Sequence, residues 1–491
     1  MDMEASGHGQ VTDLRAFDDT QAALRQVETI YRSGIDVLRK RFGRFAAGDR
    51  VTPAIEAFYP YVGIEVKGQQ GSSDPLLSYG RLPGAGVFGT TLTRPDLFLD
   101  YYRQQFELLL HNYGGPLWIG ASSRPIPLPF AVEEATADIT AEHANDLQRI
   151  FPLPDLSRID DAVVNGHHIA PAGGPRPLAL FSAERVDYSL LRLSHYTATS
   201  PRHFQRFVLF TNYQRYVEEF VAYGRREVTT GTTYTAFVEP GDVYTPNPAL
   251  NDAKSSGEAP QHLPQMPAYH LLRDDGEGVT LVNIGIGPSN AKTITDHIAV
   301  LRPHCWLMVG HCGGLRRSQM LGDYALAHAY VRADHVLDAD LPAWVPIPPI
   351  AEVQQALQAA VASVTGLTGR DMKMRLRTGT VFTTDDRDWE LRLHDLALQF
   401  NQSRAIAIDM ESATIATNGY RFRVPYGTLL CVSDRPLHGE IKLRGMANAF
   451  YRERISQHLT IGLEALRILR EAGTDSLHSR KLRSFDEPAF R

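Results

Sequence analysis

The chain is predicted to be an α/β protein with a mainly parallel sheet, preceded by a smaller α+β domain. Three observations predict it. From Gly278 onward, apolar runs of strand length alternate with helix-length amphipathic stretches, the pattern of βα units. Two of the strands run into glycine-rich strings, Gly285-Ile286-Gly287-Pro288-Ser289-Asn290 and Gly310-His311-Cys312-Gly313-Gly314. Two others run into carboxylates, Ile408-Asp409-Met410-Glu411 and Cys431-Val432-Ser433-Asp434. In such a sheet the strand ends form the mouth where ligands bind.

The elements follow in order. Residues 20–42 carry Ala23, Leu24, Val27, Ile30, Tyr31 and Ile35 at three- and four-residue steps, which predicts an amphipathic helix. Strands are expected at 59–66 and 86–92. A helix over 96–113 is introduced by Pro95 and stopped by Gly114-Gly115. Residues 117–120 form a strand that turns into loop at Ser122-Ser123-Arg124-Pro125, and the acid-rich stretch 133–161 reads as solvated helix plus loop. The string Ala170-Pro171-Ala172-Gly173-Gly174-Pro175-Arg176-Pro177 is the clearest linker. The boundaries are therefore drawn at 1–175, 176–475 and a polar tail, 476–491, read as a solvated end or an arm on a neighbouring subunit.

In the second part, short apolar runs at 178–181 and 207–210 bracket Ser194-His195-Tyr196-Thr197, taken as a polar cluster in strand-rich sequence, and 212–223 is helical. Residues 244–267 are too rich in Pro, Asn, Ser and Gly for core, and form a surface excursion. Strands are then expected at 279–284, 305–309, 324–332, 373–382, 405–409 and 427–433, and helices at 290–301, 350–365, 389–400, 412–420 and 448–472.

Composition narrows the function classes. With 491 residues, 43% hydrophobic and 22% charged, the chain has the make-up of a soluble globular protein of two or three domains. A formal charge of −6 argues against a nucleic-acid surface, which needs a basic stripe. No stretch reaches the ~20 apolar residues of a membrane span. The first eighteen residues lack the pattern of a secretory signal, so a cytoplasmic protein is expected. Cys305, Cys312 and Cys431 are too few for a disulfide framework and lack zinc-ligand spacing.

Each motif has a plain structural reading beside a functional one. Ser289 or Asn290 could cap a helix whose free N–H groups attract anions, or the glycines could simply make a tight turn. His311 could bind a ligand or sit hydrogen-bonded under its loop. Cys312 would need a base and a depressed pKa to be a nucleophile. Glu411 near a helix start would be stabilised by the helix dipole without any function, and Asp434 could cap the turn that Arg435-Pro436 begins.

As an ordered set, the glycine turn at 285–289, Val309-Gly310-His311-Cys312-Gly313, Asp409-Met410-Glu411 and Val432-Ser433-Asp434 resemble the purine nucleoside phosphorylase and nucleosidase superfamily. The N-terminal half, Ser194-His195-Tyr196-Thr197, Phe210-Thr211-Asn212-Tyr213 and the final Glu487-Pro488-Ala489-Phe490-Arg491 resemble its bacterial AMP nucleosidase branch. The resemblance implies a three-layer α/β/α catalytic domain and a regulatory N-terminal domain. It also implies that Glu411 binds the ribose 2′ and 3′ hydroxyls with Met410 packed below the sugar. Asp434, beside Ser433, protonates the purine N7. His195 reaches the 5′ end of the sugar, often across a subunit boundary, and Arg215 binds an anion. Gly287 and His311 border the substrate. Phe382, Arg387 or Trp389 stacks on the base, with Phe382 taken first. Lys292, Arg316 and Arg317 are further candidates for the 5′-phosphate. No catalytic cofactor is implied; MgATP activates, phosphate inhibits, and the assembly is a homohexamer.

One departure bears on the reaction. Phosphorylases of the superfamily hold the attacking phosphate with an arginine before the glycine-rich strand end and a serine after it, where this chain has Met308 and His311. Water is thereby favoured as nucleophile, giving hydrolysis of AMP to adenine and ribose 5-phosphate; a purine nucleoside phosphorylase using inorganic phosphate is the alternative. Breaking the bond places charge on the ring and electrons on the purine. Asp434 must then hold a proton near neutral pH, well above the ~3.9 of a free aspartate, while Glu411 stays ionised.

Overall fold

In the computed structural model, which describes residues 7–68, 79–132, 141–170, 172–439, 448–473, 475–477, 482–484 and 486–491, a strand, β1 (Val11–Phe17), leads to Asp19. The Asp19 carboxylate accepts the Ala22 amide at 2.7 Å and so caps α1 (Thr20–Ala46). The periodic apolar residues of α1 form its buried face: Tyr31, Ile35, Leu38, Phe42 and Phe45 share one core with Tyr59, Ile126 and Phe151. Next come β2 (Phe58–Val66), β3 (Gly86–Thr91), α2 (Pro95–Tyr113), β4 (Leu117–Pro125), α3 (Leu128–Ala131), α4 (Ala141–Ile150) and β5 (Arg176–Pro177). Pro95 opens α2, and Gly114 closes it in the left-handed region at φ 60°. The strands form one sheet in the order β1-β4-β2-β3-β5. Ser122–Pro125, expected to be loop, continues β4, because its backbone pairs with β1 and β2. Of the acid-rich stretch, residues 133–140 lie outside the described residues.

The contact boundary between the two units falls inside α5 (Ala183–Thr197): one unit holds residues up to Leu191 with Arg483–Arg491, the other Arg192–Leu482. His195 is therefore on a helix and not on a strand, since the amphipathic spacing of 183–197 outweighs the short polar cluster within it. The last residues are not a solvated end. Phe490 is 1% exposed and packs against Tyr101 and Phe106 of α2, while its amide donates to the Leu178 carbonyl at 2.9 Å. Ala489 accepts the Gly80 amide at 2.6 Å, and the Arg491 amide donates to Gln105 at 3.0 Å. Two aromatic contacts and three hydrogen bonds are thus hidden in a string that reads as polar. Phe490→Ala is expected to destabilise this unit by ~3–5 kcal/mol, the usual range for deleting a buried aromatic, seen as a lower urea midpoint; an unchanged midpoint would show the tail to be dispensable.

The second unit is built on β6 (Phe207–Thr211), α6 (Gln214–Thr230), β7 (Ala236–Glu239), β8 (Val243–Pro246), β9 (Ala268–Leu272), β10 (Val279–Asn283), α7 (Pro288–Ile298), β11 (Cys305–Gly314), β12 (Tyr324–Ala333), α8 (Ala351–Thr365), α9 (Gly369–Arg375), β13 (Leu376–Thr384), α10 (Leu393–Ser403), β14 (Ala407–Asp409), α11 (Ser412–Phe422), β15 (Tyr426–Asp434) and α12 (Asn448–Ala472). The first residues of the strand expected at 373–382 belong instead to α9. The ten-stranded sheet runs β14-β13-β12-β15-β11-β6-β10-β9-β7-β8, with β14 also pairing β11. It is mixed. Its centre, β15, β11, β6 and β10, is parallel throughout, so four carboxyl ends open on one edge. α12 packs with α6 and α8, and α11 with α7. The excursion after β8 is tied back by a bridge between Tyr244 and Ser256, and residues 252–259 are exposed. No described helix is long and apolar enough to cross a membrane.

Candidate active site

Glycines let two strand ends meet. At Gly313 an added Cβ would stand 3.0 Å from Ile408 of β14, and at Gly314 2.9 Å from Val432 of β15. The first is tight and the second closer than a side chain tolerates, so Gly313 eases β14 against β11, Gly314 admits β15, and the β14 pairing brings Asp409–Glu411 to the edge where the parallel strands end.

Asp409 and Glu411 divide two tasks that the sequence leaves joined. Asp409 secures the helix start: it accepts the Ser412 amide at 2.9 Å, the Ser412 hydroxyl, and the Thr383 hydroxyl at 2.6 Å. Glu411 occupies the N-cap position of α11, yet its side chain makes no capping bond. Fully buried, it reaches across the mouth instead. One oxygen accepts the Gly287 amide at 2.7 Å and the other the Asn212 side-chain amide at 2.8 Å. Gly287 has φ 113°, a conformation suited to glycine, which aims its N–H at the carboxylate. The helix dipole reading of Glu411 therefore gives way to a cross-strand one, and the anion answered by the turn before α7 is Glu411 itself. Burial, then the charge of Asp409, pushes Glu411 up to about 8, and burial pushes Asp409 up to about 6.

Asp434 arrives by another device. Register slips between Cys312 and Gly313, so Cys312 faces Val432 while Gly313 faces Asp434, leaving Ser433 as the extra residue. Such a bulge re-aims the side chains beside it. The Ser433 hydroxyl donates to Asp434 at 2.6 Å. Asp434 is half-buried, and Arg435, not Asp434, holds the N-cap position of the following turn, Pro436–His438.

The remaining candidates fall into place around this edge. Met410 is half-buried between the two acids. His311 lies at the end of β11 with its ring against Tyr213 at 4.9 Å and Tyr216 at 5.5 Å. Met308 is fully buried, and its methyl lies 2.7 Å from where a Cβ at Gly310 would stand, so an apolar group fills the place of the phosphorylase arginine. Arg215 is half-buried in the first turn of α6. Lys292 is bound to Asp296 at 2.6 Å, Arg316 is half-buried and Arg317 exposed. His195 is exposed near the end of α5. Phe382, expected against the base, is wholly inside a core with Phe400 and Ile408, edge-on to Phe400 at 5.0 Å, because β13 is a covered strand. Of the two alternatives, Arg387 is exposed, while Trp389 is buried in the same core, edge-on to Phe400 at 5.5 Å, with one ring atom 3.9 Å from a Cβ built at Gly313, the residue opposite Asp434. Cys312 is buried and its thiol pushed well up by burial, so it is no nucleophile. Asn212 is the residue that sequence reasoning missed. The polar pair Thr211-Asn212 directly after the apolar run 207–210, at a strand end, was the available signal.

Residues 267–448, which include this edge, match the phosphorylase superfamily. Residues 22–175 match the bacterial AMP nucleoside phosphorylase N-terminus. The chain is 50% identical over 478 residues to AMP nucleosidase of Escherichia coli strain K12, covering 96% of this chain and 98% of the relative. It belongs to the AMP nucleosidase family and is an N-glycosyl hydrolase. It is also 28% identical over 172 residues to a 5'-methylthioadenosine/S-adenosylhomocysteine nucleosidase of Desulfotalea psychrophila, covering 34% of this chain and 71% of that protein. A solved AMP nucleosidase from Bacteroides thetaiotaomicron is 29% identical and covers 58% of this chain and 98% of its own, with a TM-score of 0.43.

Proposed function

We propose that the chain hydrolyses AMP to adenine and ribose 5-phosphate in the cytoplasm, as a homohexamer activated by MgATP and inhibited by phosphate. The observation that carries the chemical part is the pair of carboxyl groups delivered to one sheet edge by different means. Glu411 is held by two N–H donors, which favour its charged form against the burial that raises it to about 8 and leaves it protonated in the empty site, and Asp434 is set opposite Gly313 by a bulge. In this reading Glu411 takes the 2′ and 3′ hydroxyls, Met410 lies under the sugar, and Gly287 fixes Glu411. Ser433 orients Asp434, which gives its proton to N7. Trp389 replaces Phe382 as the stacking residue. Arg215 and His195 serve the 5′-phosphate, His195 from a neighbouring subunit, in keeping with its exposure. The N-terminal unit carries the effector response.

Met308 supports water over phosphate as nucleophile. Incubation with AMP in phosphate buffer is expected to yield ribose 5-phosphate and no ribose 1,5-bisphosphate, with AMP consumed faster than adenosine and faster still with MgATP. Accumulation of the bisphosphate would make the protein a phosphorylase, and preference for adenosine would overturn the substrate while sparing the fold.

A further inference from the structure

Two polar residues lie where a covered helix has no water to offer them. Residues 412–419 of α11 are all buried, and Asn418 and Arg421 on this helix are 0% and 2% exposed. A side-chain amide in such a place is costly unless its donors and acceptor are answered. Here they are. Its nitrogen donates to the Asp296 carboxylate at 2.9 Å and to the Thr295 hydroxyl at 2.8 Å, and its oxygen accepts from Arg421 at 2.6 Å. The Thr295 hydroxyl gives its own proton to the Ala291 carbonyl at 2.6 Å, so it meets Asn418 as an acceptor. The amide therefore fits only one way round. Lys292 at 2.6 Å and Arg421 at 3.5 Å balance Asp296, and Asp340 lies 3.5 Å from Arg421.

We propose that Asn418 is a positioning residue for the reaction: its bonds to Asp296 and Thr295 set α11 against α7 so that Glu411 meets the Gly287 amide where the ribose hydroxyls are held. The inference rests on the assignment of Glu411 to the sugar made above.

Position carries it. Gly287 is the N-cap of α7 and Glu411 that of α11, and the 2.7 Å bond between them joins the two helices at their starts. Thr295, Asp296 and Asn418 join the same helices about two turns further on. The helices thus leave the site side by side in one direction, tied at two levels. Glu411 makes no capping bond to its own helix, so its height against Gly287 depends on how α11 is held. A slide of one residue along the axis, ~1.5 Å, is enough to part a 2.7 Å bond.

The chemistry of the second tie suits this task. Apolar packing between helices resists separation more than sliding, whereas a satisfied polar network fixes one arrangement. A buried ionic group adds little net stability over an apolar pair, and register is its best attested use. Lys292, a sequence candidate for the 5′-phosphate, is drawn to Asp296 and serves this tie.

The test compares Asn418→Ala, Asn418→Asp and the double variant Asn418→Asp with Asp296→Asn against the wild-type protein. The substrates are AMP and 2′-deoxyAMP, which lacks one of the two hydroxyls. A displacement of about 1 Å caused far from the chemistry can cost ~10²-fold. Both single variants are accordingly expected to lose ~10–10²-fold in kcat/KM on AMP and less on 2′-deoxyAMP, so the preference for AMP shrinks. Asn418→Asp sets two carboxylates against each other. Adding Asp296→Asn returns a donor and an acceptor at the same net charge, and the double variant is expected to recover the preference. Amide hydrogen exchange, read by mass spectrometry on the peptide that holds Gly287, is expected to quicken in the single variants and slow again in the double one. Equal losses on both substrates, an unchanged preference, or Gly287 exchange as slow as in the wild-type protein would each overturn the assignment, leaving a tie that serves the fold alone. Thermal melts identify the folded variants, and the aspartate pair decides the matter if alanine unfolds the protein. A wild-type protein that cleaves 2′-deoxyAMP as well as AMP would sink the ribose role of Glu411 instead, which separates the two.

Discussion

Asp434→Asn is expected to release adenine from AMP ~10²–10⁴-fold more slowly than the wild-type protein, with AMP binding little altered. The substitution keeps the shape and can keep the contact with the Ser433 hydroxyl, which lies 2.6 Å from the carboxylate. It removes only an acidic proton. An amide does not protonate N7, so the purine must depart carrying its electron pair unneutralised. The competing structural role is disposed of by the turn that follows: Arg435 holds its N-cap position, so asparagine deprives that turn of no cap. Loss should therefore appear in kcat with the melting temperature near that of the wild-type protein. Steady-state kinetics on AMP with a parallel melt checks this. Turnover within a few-fold of wild type would show that the base leaves without help from residue 434.

The legible and illegible parts of this chain differ in physical kind. Local signals read well: Pro95 and Gly114 mark the ends of α2, and the βα alternation follows from periodicity. The acids at strand ends could be read because a carboxylate after an apolar run is anomalous unless something at the edge uses it. Partnership across the sheet could not. That Glu411 pairs with Gly287 and Asn212, 124 and 199 residues away, depends on strand order, which no local pattern encodes. The same holds for Phe382, whose aromatic character suits a base and a core equally until β13 is known to be covered. His195 shows the opposite failure, in which a short polar cluster looked like an interrupted strand although the longer helical period around it prevails. Met308 was legible as a departure from a pattern, but its meaning needed the geometry that puts its methyl over Gly310.

Glu411→Gln separates what the carboxylate does for the reaction from what it does to the fold. The glutamine oxygen can keep the Gly287 amide, and its nitrogen can face Asn212 if that side chain turns its own oxygen inward, so the mouth keeps its shape. What disappears is a carboxyl that can ionise when substrate binds and then accept from two hydroxyls as a charged group. Hydrogen bonds to charged groups contribute ~1.5–3 kcal/mol each, and ~1.4 kcal/mol is tenfold, so kcat/KM is expected to fall ~10²–10⁴-fold. Stability should move the other way as pH rises. Burial raises Glu411 from its ordinary 4.5 to about 8 in the folded chain. Below 4.5 both folded and unfolded chains hold the proton, and this group favours neither. Between 4.5 and about 8 the unfolded chain ionises while the folded one retains its proton, so folding loses stability steadily as pH increases. Above about 8 the loss is complete. Glutamine has no such dependence. Melts of both proteins from pH 5 to pH 8.5 are therefore expected to diverge, the variant gaining on the wild-type protein with each step upward. Parallel curves would mean that the buried carboxylate is already ionised throughout this range, held by its two N–H donors strongly enough to cancel the cost of burial.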